Sequence, residues 1–221
     1  MKIDNVSITV SDVAKAAAFY RDILLCPVDS SADGAAITIG SSRLFLTQGE
    51  EFAGVHHLAF GILPSEFERA HAWLAERVEL LPVGGKDTFY GGTEWNSRSV
   101  YFLGPEGIIL ELIARDADAG AAEEGSGKPR MLSISEVGIG VDDVLDAVAT
   151  LSRELNIPIF YNLSATFASL GSHDGLLIVV QRERLWFPNN VAPAARGPLR
   201  VGLEPVNGAS VEFGSNISIV R

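Results

Sequence analysis

The chain has 221 residues, 47% of them hydrophobic, enough to bury one large core or two small ones. A formal charge of −11, with no cluster of lysine or arginine set against it, argues against nucleic acid or an anionic membrane as partner. One cysteine, Cys26, excludes an intramolecular disulfide, and no apolar run approaches the roughly 20 residues of a membrane span. The first residues lack the apolar core of a secretion signal, so a cytoplasmic protein is expected, with a small molecule or a protein as partner.

Residues 5–13, Asn-Val-Ser-Ile-Thr-Val-Ser-Asp-Val, alternate with the period of a strand and end at Asp12, whose side chain can cap a helix over 13–24. Val13, Ala16, Ala17, Tyr20 and Leu24 recur there at helical spacing and define its packing face. Cys26 follows directly and reads as buried filler, because no base is placed beside it. Strands are expected at 35–39 and 43–47, joined through Gly40-Ser41-Ser42.

Residues 55–62, Val-His-His-Leu-Ala-Phe-Gly-Ile, are the next alternating stretch. Leu58, Phe60 and Ile62 face one side, and His57 faces the other with Ala59 and Gly61. Small neighbours leave room in front of the imidazole, as either a pocket floor or a tightly packed helix would require. A helix at 66–77 behind Ser65, a strand near 79–83, and strands at 97–103 and 108–114 complete a β-α-β-β-β unit. The irregular loop 84–96 carries Phe89, Tyr90 and Trp95, which suit a lid or a cover for the open end of the sheet equally. His71 reads as a structural histidine on the helix seam.

Residues 116–130, rich in Gly, Ala, Glu, Asp and Ser, read as a linker and as the boundary between 1–115 and 131–221. A third unit follows, with a strand opening at Glu136, a helix at 145–155 capped by Asp142 or Asp143, and strands at 159–162, 166–170 and 176–181. His173 belongs to the turn before the last of these. Residues 199–203 and 210–220 alternate without a helix between them, as a remnant fourth unit would. The opening strands of the three full units superimpose without a gap, which places Asn5, His57 and Glu136 at equivalent positions.

Glu111 interrupts the apolar run Ile108-Ile109-Leu110-Glu111-Leu112. A carboxylate there must be solvated, paired with an arginine such as Arg98, or held for a purpose.

Three stretches carry a resemblance. They are Val6-Ser7-Ile8-Thr9-Val10-Ser11-Asp12 with Phe19-Tyr20, then His57-Leu58-Ala59-Phe60, and then Tyr101-Phe102-Leu103-Gly104-Pro105-Glu106-Gly107 leading to Glu111-Leu112. In these the chain resembles the vicinal oxygen chelate superfamily of glyoxalases, extradiol dioxygenases, fosfomycin-modifying enzymes and bleomycin-resistance proteins. The resemblance implies an α+β fold of repeated βαβββ units forming half-open mixed-sheet barrels, here two complete units plus a third and a remnant fourth. It also implies a cup within 1–115 whose metal positions fall on Asn5, Phe45, His57 and Glu111.

His57 and Glu111 are ligands suited to Fe(II), Mn(II), Ni(II) or Zn(II); Asn5 is a weak donor and Phe45 none, so the implied metal is weakly held or lost. Dioxygenases of the family use two histidines and one glutamate. Their acid–base histidine has no counterpart before Tyr101, so catechol cleavage is expected less than the fold alone implies.

Two functional readings stand side by side. One is metal-dependent lyase, isomerase or dioxygenase-type chemistry on a small molecule, with Tyr101 moving a proton, Asn5, Phe89 and Trp95 contacting substrate, and His57 and Glu111 on the metal. The other is a metal-free binding protein of the bleomycin-resistance type, in which His57 and Glu111 hydrogen-bond each other. The third unit, with Glu136 and with Val179 at its last-strand position, reads as support for the first pair or as a homodimer surface.

Overall fold

In the computed structural model, which describes residues 1–93, 95–118 and 128–221, the first alternating stretch becomes β1 (Lys2–Val10). Helix α1 (Val13–Ala18) follows, with the Asp12 carboxylate accepting from the Lys15 amide at 2.9 Å and a π-helical turn carrying the helix on to Ile23. Strands β2 (Val28–Ser31), β3 (Gly34–Ile39) and β4 (Ser42–Gln48) complete the first unit. Gly40 makes the β3–β4 turn at φ +57°, a backbone shape that also lets it rest against the Leu132 carbonyl, where a Cβ would collide.

The second unit contains β5 (His57–Ile62), α2 (Phe67–Ala75), β6 (Phe89–Tyr90), β7 (Ser97–Leu103) and β8 (Ile109–Arg115). Its helix starts later than Ser65 suggested, because a 3-10 turn at Pro64–Glu66 takes up the entry and no side chain caps it. The strand expected near 79–83 is reduced to an isolated bridge between Leu80 and Phe102, while the supposedly irregular loop supplies β6 instead.

The third unit contains β9 (Met131–Val141), α3 (Val144–Leu155), β10 (Ile159–Leu163), β11 (Phe167–Ser172) and β12 (Gly175–Gln181), with Asp143 as the cap of α3. Strands β13 (Leu199–Glu204), β14 (Ser210–Phe213) and β15 (Ile217–Val220) form the remnant. Residues 119–127 of the expected linker lie outside the described residues, between the end of β8 and the start of β9.

Among the described residues the strands form two sheets, ordered β14-β15-β13-β1-β4-β3-β2 and β10-β11-β12-β9-β5-β8-β7-β6. The first unit therefore shares a sheet with the remnant fourth, and the second with the third. This corrects the expected cup within 1–115, since β1 and β5 stand in different sheets. The physical reason is that side-chain alternation assigns the faces of a strand but does not say which edges will meet.

Both sheets turn an apolar face to one continuous core. It holds Ile8, Leu44, Phe60, Leu112, Val137, Leu177 and Val201 from the strands, and Tyr20, Phe67 and Leu151 from the helical segments. The β5–β9 sheet is covered on its other face as well, by Ile109, Leu176, Ile178, Val180, Trp186 and Ala194. That second covering is what gives the site there its walls. No helix among the described residues is long and apolar enough to cross a membrane.

Candidate metal centre and cavity

Strands β5 and β8 run parallel with Ala59 opposite Glu111, and β5 runs antiparallel to β9 with Ala59 opposite Glu136. Two residues along β5, on the same face, lies His57. The small Ala59 at the centre leaves the space into which an imidazole and two carboxylates converge from neighbouring strands. The ligand atoms of His57, Glu111 and Glu136 lie within 4.8 Å of one another, and all three residues are buried.

The orientation of the imidazole follows from one bond. His57 Nδ1–H donates to the Ile109 carbonyl at 3.2 Å, since a carbonyl can only accept, and this leaves Nε2 with a free lone pair. Nε2 faces Glu111 Oε2 at 3.6 Å and Glu136 Oε2 at 4.0 Å. His57 and Glu111 are thus not hydrogen-bonded to each other, and Glu111 Oε2 has no hydrogen-bond partner among the described residues. Burial pushes the His57 pKa down to about 4, so the ring is neutral at neutral pH.

The carboxylates feel the same enclosure. Burial, followed by the charge of Glu136, raises the Glu111 pKa, against hydrogen bonds from Ser99 and Tyr101 and the charge of Arg115. Burial also raises Glu136, opposed by Arg115. Arg115, fully buried, donates to Glu136 Oε1 and to Ser135 Oγ. It reaches both because the β5–β9 ladder slips between Ala59 and Phe60, so that Ser135 is an additional residue in β9.

In front of these groups opens a cavity of about 420 Å³. Its walls are mainly aromatic: Phe89, Trp95, Tyr101, Phe167, Trp186 and Phe187. Tyr101 stacks on His57 with centroids 6.3 Å apart, and Phe187 meets both Tyr101 and Phe89 edge-on at 5.3 and 4.9 Å. Trp186 packs 5.1 Å from His57, and its Nε1–H donates to the Val55 carbonyl at 3.0 Å. The Tyr101 pKa is raised well above 10 by burial and by the two carboxylates, so its hydroxyl keeps its proton and acts as a donor.

The structure brings His57, Glu111, Tyr101, Phe89 and Trp95 around one cavity, and it does not bring Asn5 there. Asn5 lies on β1, where its side chain donates to Asp4 at 2.8 Å and meets Gly202. Arg98 does not pair with Glu111 either; it bonds Glu68 at 2.9 Å and the Pro64 carbonyl. The last-strand position of the third unit is Ile178, opposite Gly138, rather than Val179, which points into the core.

Sequence reasoning left Glu136 without a partner and passed over Arg115, Trp186 and Phe187. A signal for Glu136 was present in its equivalence to His57. Arg115 offered one too, as a cation ending the same apolar strand that Glu111 interrupts.

One imidazole lone pair and two carboxyl groups, which an ion would hold in their ionised form, match Fe(II), Mn(II), Ni(II) or Zn(II), and the orphaned Glu111 oxygen is a position that such an ion would satisfy.

No protein-family model matches this chain. It is similar to the metallothiol transferase FosB of Staphylococcus saprophyticus, 31% identical over 118 residues that cover 50% of this chain and 74% of that protein. The metallothiol transferase FosB of Staphylococcus haemolyticus is 28% identical over 136 residues, 58% of this chain and 94% of that protein. Glyoxalase I from Zea mays, a solved structure, superposes with a TM-score of 0.58 over 99% of this chain and 92% of that one; at 15% identity this shows a shared fold.

Proposed function

Since the chain belongs to the vicinal oxygen chelate superfamily, we propose that the β5–β9 cup is the centre of a metal-dependent enzyme that holds a small molecule through two adjacent oxygens. His57, Glu111 and Glu136 are the metal's protein ligands in this reading. The observation that carries it is the convergence of one imidazole lone pair and two carboxyl groups on one buried point, with Glu111 Oε2 left without a hydrogen-bond partner among the described residues. Such a point is costly to leave unfilled.

When bound, the metal supplies Lewis acidity toward the two substrate oxygens. The chain's own residues do the rest. The Ile109 carbonyl holds the His57 ring so that Nε2 faces the cavity, and Ser99 and Tyr101 hold the Glu111 carboxylate. Tyr101, kept protonated, is in this reading the donor whose hydrogen bond passes from Glu111 to an oxyanion as it forms. This suits lyase, isomerase or dioxygenase-type chemistry that passes through charge on a substrate oxygen. The aromatic walls exclude water and take a flat, apolar body.

The curated relatives are metallothiol transferases. No lysine or arginine lines this cavity among the described residues, which favours a substrate of low charge over a multiply anionic one.

Equilibrium dialysis against Mn(II), Fe(II), Ni(II) and Zn(II), with elemental analysis, tests the proposal. The wild-type chain should retain about one equivalent of one of these, and His57→Ala and Glu111→Ala should each weaken retention about 100-fold or more. Retention of none of the four, with ligand binding unchanged in His57→Ala, would leave the chain a metal-free binding protein.

A further inference from the structure

We propose that Arg115 is the charge-balancing and positioning residue of this centre: its buried guanidinium cancels one carboxylate, so that Glu136 can serve where a neutral imidazole would otherwise be needed. The inference rests on the metal reading of His57, Glu111 and Glu136 and goes beyond it to a residue outside the ligand set.

The argument begins with charge. His57 is neutral in its Nδ1–H form, so with both carboxyl groups ionised, as a bound cation requires, two carboxylates and one guanidinium leave the ligand set with a single net negative charge. Two imidazoles and one glutamate would leave the same. A second ionised carboxylate without Arg115 would make the ligand set doubly negative in a buried place, where like charges repel strongly.

Geometry continues it. Arg115 lies four residues beyond Glu111 on β8, with the same face toward the site, and it is fully buried. Its fork takes Glu136 Oε1 and Ser135 Oγ together, which leaves Glu136 Oε2 as the oxygen that faces His57 Nε2 at 4.0 Å. The slip in the β5–β9 ladder that adds Ser135 supplies the second acceptor. Arg115 thus fixes which oxygen of Glu136 is offered and how much charge comes with it.

A consequence concerns the substrate. A divalent ion in a group with one net negative charge leaves one net positive charge, which suits a chelating ligand that binds as a monoanion.

The test is Zn(II) affinity by isothermal titration on the full chain, with circular dichroism to confirm the fold. Glu136→Gln keeps an oxygen donor but leaves the guanidinium uncompensated beside the ion. It should lose at least as much affinity as His57→Ala, about 100-fold.

The double variant Arg115→Met/Glu136→Gln buries no charge at either position and restores the single negative charge. It should bind Zn(II) about tenfold or more tightly than Glu136→Gln alone. A structural role for Arg115 predicts the reverse, since removing it would loosen the site further. Absence of that recovery, or a Glu136→Gln variant much milder than His57→Ala, overturns the assignment and leaves the metal reading standing. A wild-type chain that takes up none of Mn(II), Fe(II), Ni(II) and Zn(II) removes both; if another of the four is retained in place of Zn(II), the same titrations are run with that ion.

Discussion

In the β5–β9 sheet, the places made equivalent by strand register hold His57, Glu111, Glu136 and Ile178; in the β1–β13 sheet the same places hold Asn5, Phe45, Arg200 and Val220. The backbones repeat each other, but three potential ligands stand in one set and at most one weak donor in the other. The surroundings differ as well. Trp186, Phe187 and Phe89 wall the first set in, whereas Phe45 is 37% exposed and Arg200 is open to solvent. One pairing of folding units, used twice, therefore supports a buried polar centre in one place and an ordinary solvated sheet face in the other. The polar centre resides in three side chains and their cover, not in the repeat itself.

The contrast can be broken most forcefully at its two arginines. Arg115→Leu strands the Glu136 carboxylate in the core and should cost about 3–5 kcal/mol in urea unfolding at neutral pH, whereas Arg200→Leu should stay within about 0.5 kcal/mol. Equal effects would mean that the two cups are packed alike.

A smaller effect is expected at the paired glycines. A Cβ on Gly138 would stand 2.6 Å from the Trp186 ring and 3.0 Å from His57 Cβ, while one on Gly202 would meet only the Asn5 side chain, which can swing into solvent. Gly138→Ala should cost about 1–3 kcal/mol and weaken metal retention, and Gly202→Ala less than about 1 kcal/mol with retention unchanged.

The smallest test asks whether the shared core is equally dry behind the open sheet. Cys26 lies there, 3.9 Å from Met131 Sδ, and burial raises its thiol to about 11 from 9.0. Alkylation of the native chain at pH 8 should run about 100-fold slower than in urea. Because the folded pKa is the higher one, its contribution to stability is complete below pH 9 and fades as pH rises through 11. Native alkylation at the unfolded rate would show water behind β1.

Much of this was legible in the residues. Alternation and capping marked the repeated units: Asp12 and Asp143 cap as their spacing implied, and a glutamate among leucines identified Glu111 as needing an explanation. Pairing between units was not legible. Leu58 opposite Val137 and Val6 opposite Val201 are contacts between strands whose apolar patterns would serve any partner. From that one ambiguity followed the misplacement of Asn5, the orphaning of Glu136 and the choice of Arg98 over Arg115. The aromatic cover was hidden for another reason, since Trp186 and Phe187 lie outside the repeats and answer to no period.

The sheet pairings are nested. Residues 58 and 137 meet in the inner pair, and residues 2 and 204 in the outer one. Closing the outer pair spans a far longer loop and carries the larger entropic cost, so the inner cup is the half that can assemble while the C-terminal strands are still being synthesised. During that interval β1 waits with an unpaired edge, which makes the first strand, rather than the buried polar centre, the vulnerable point of a nascent chain.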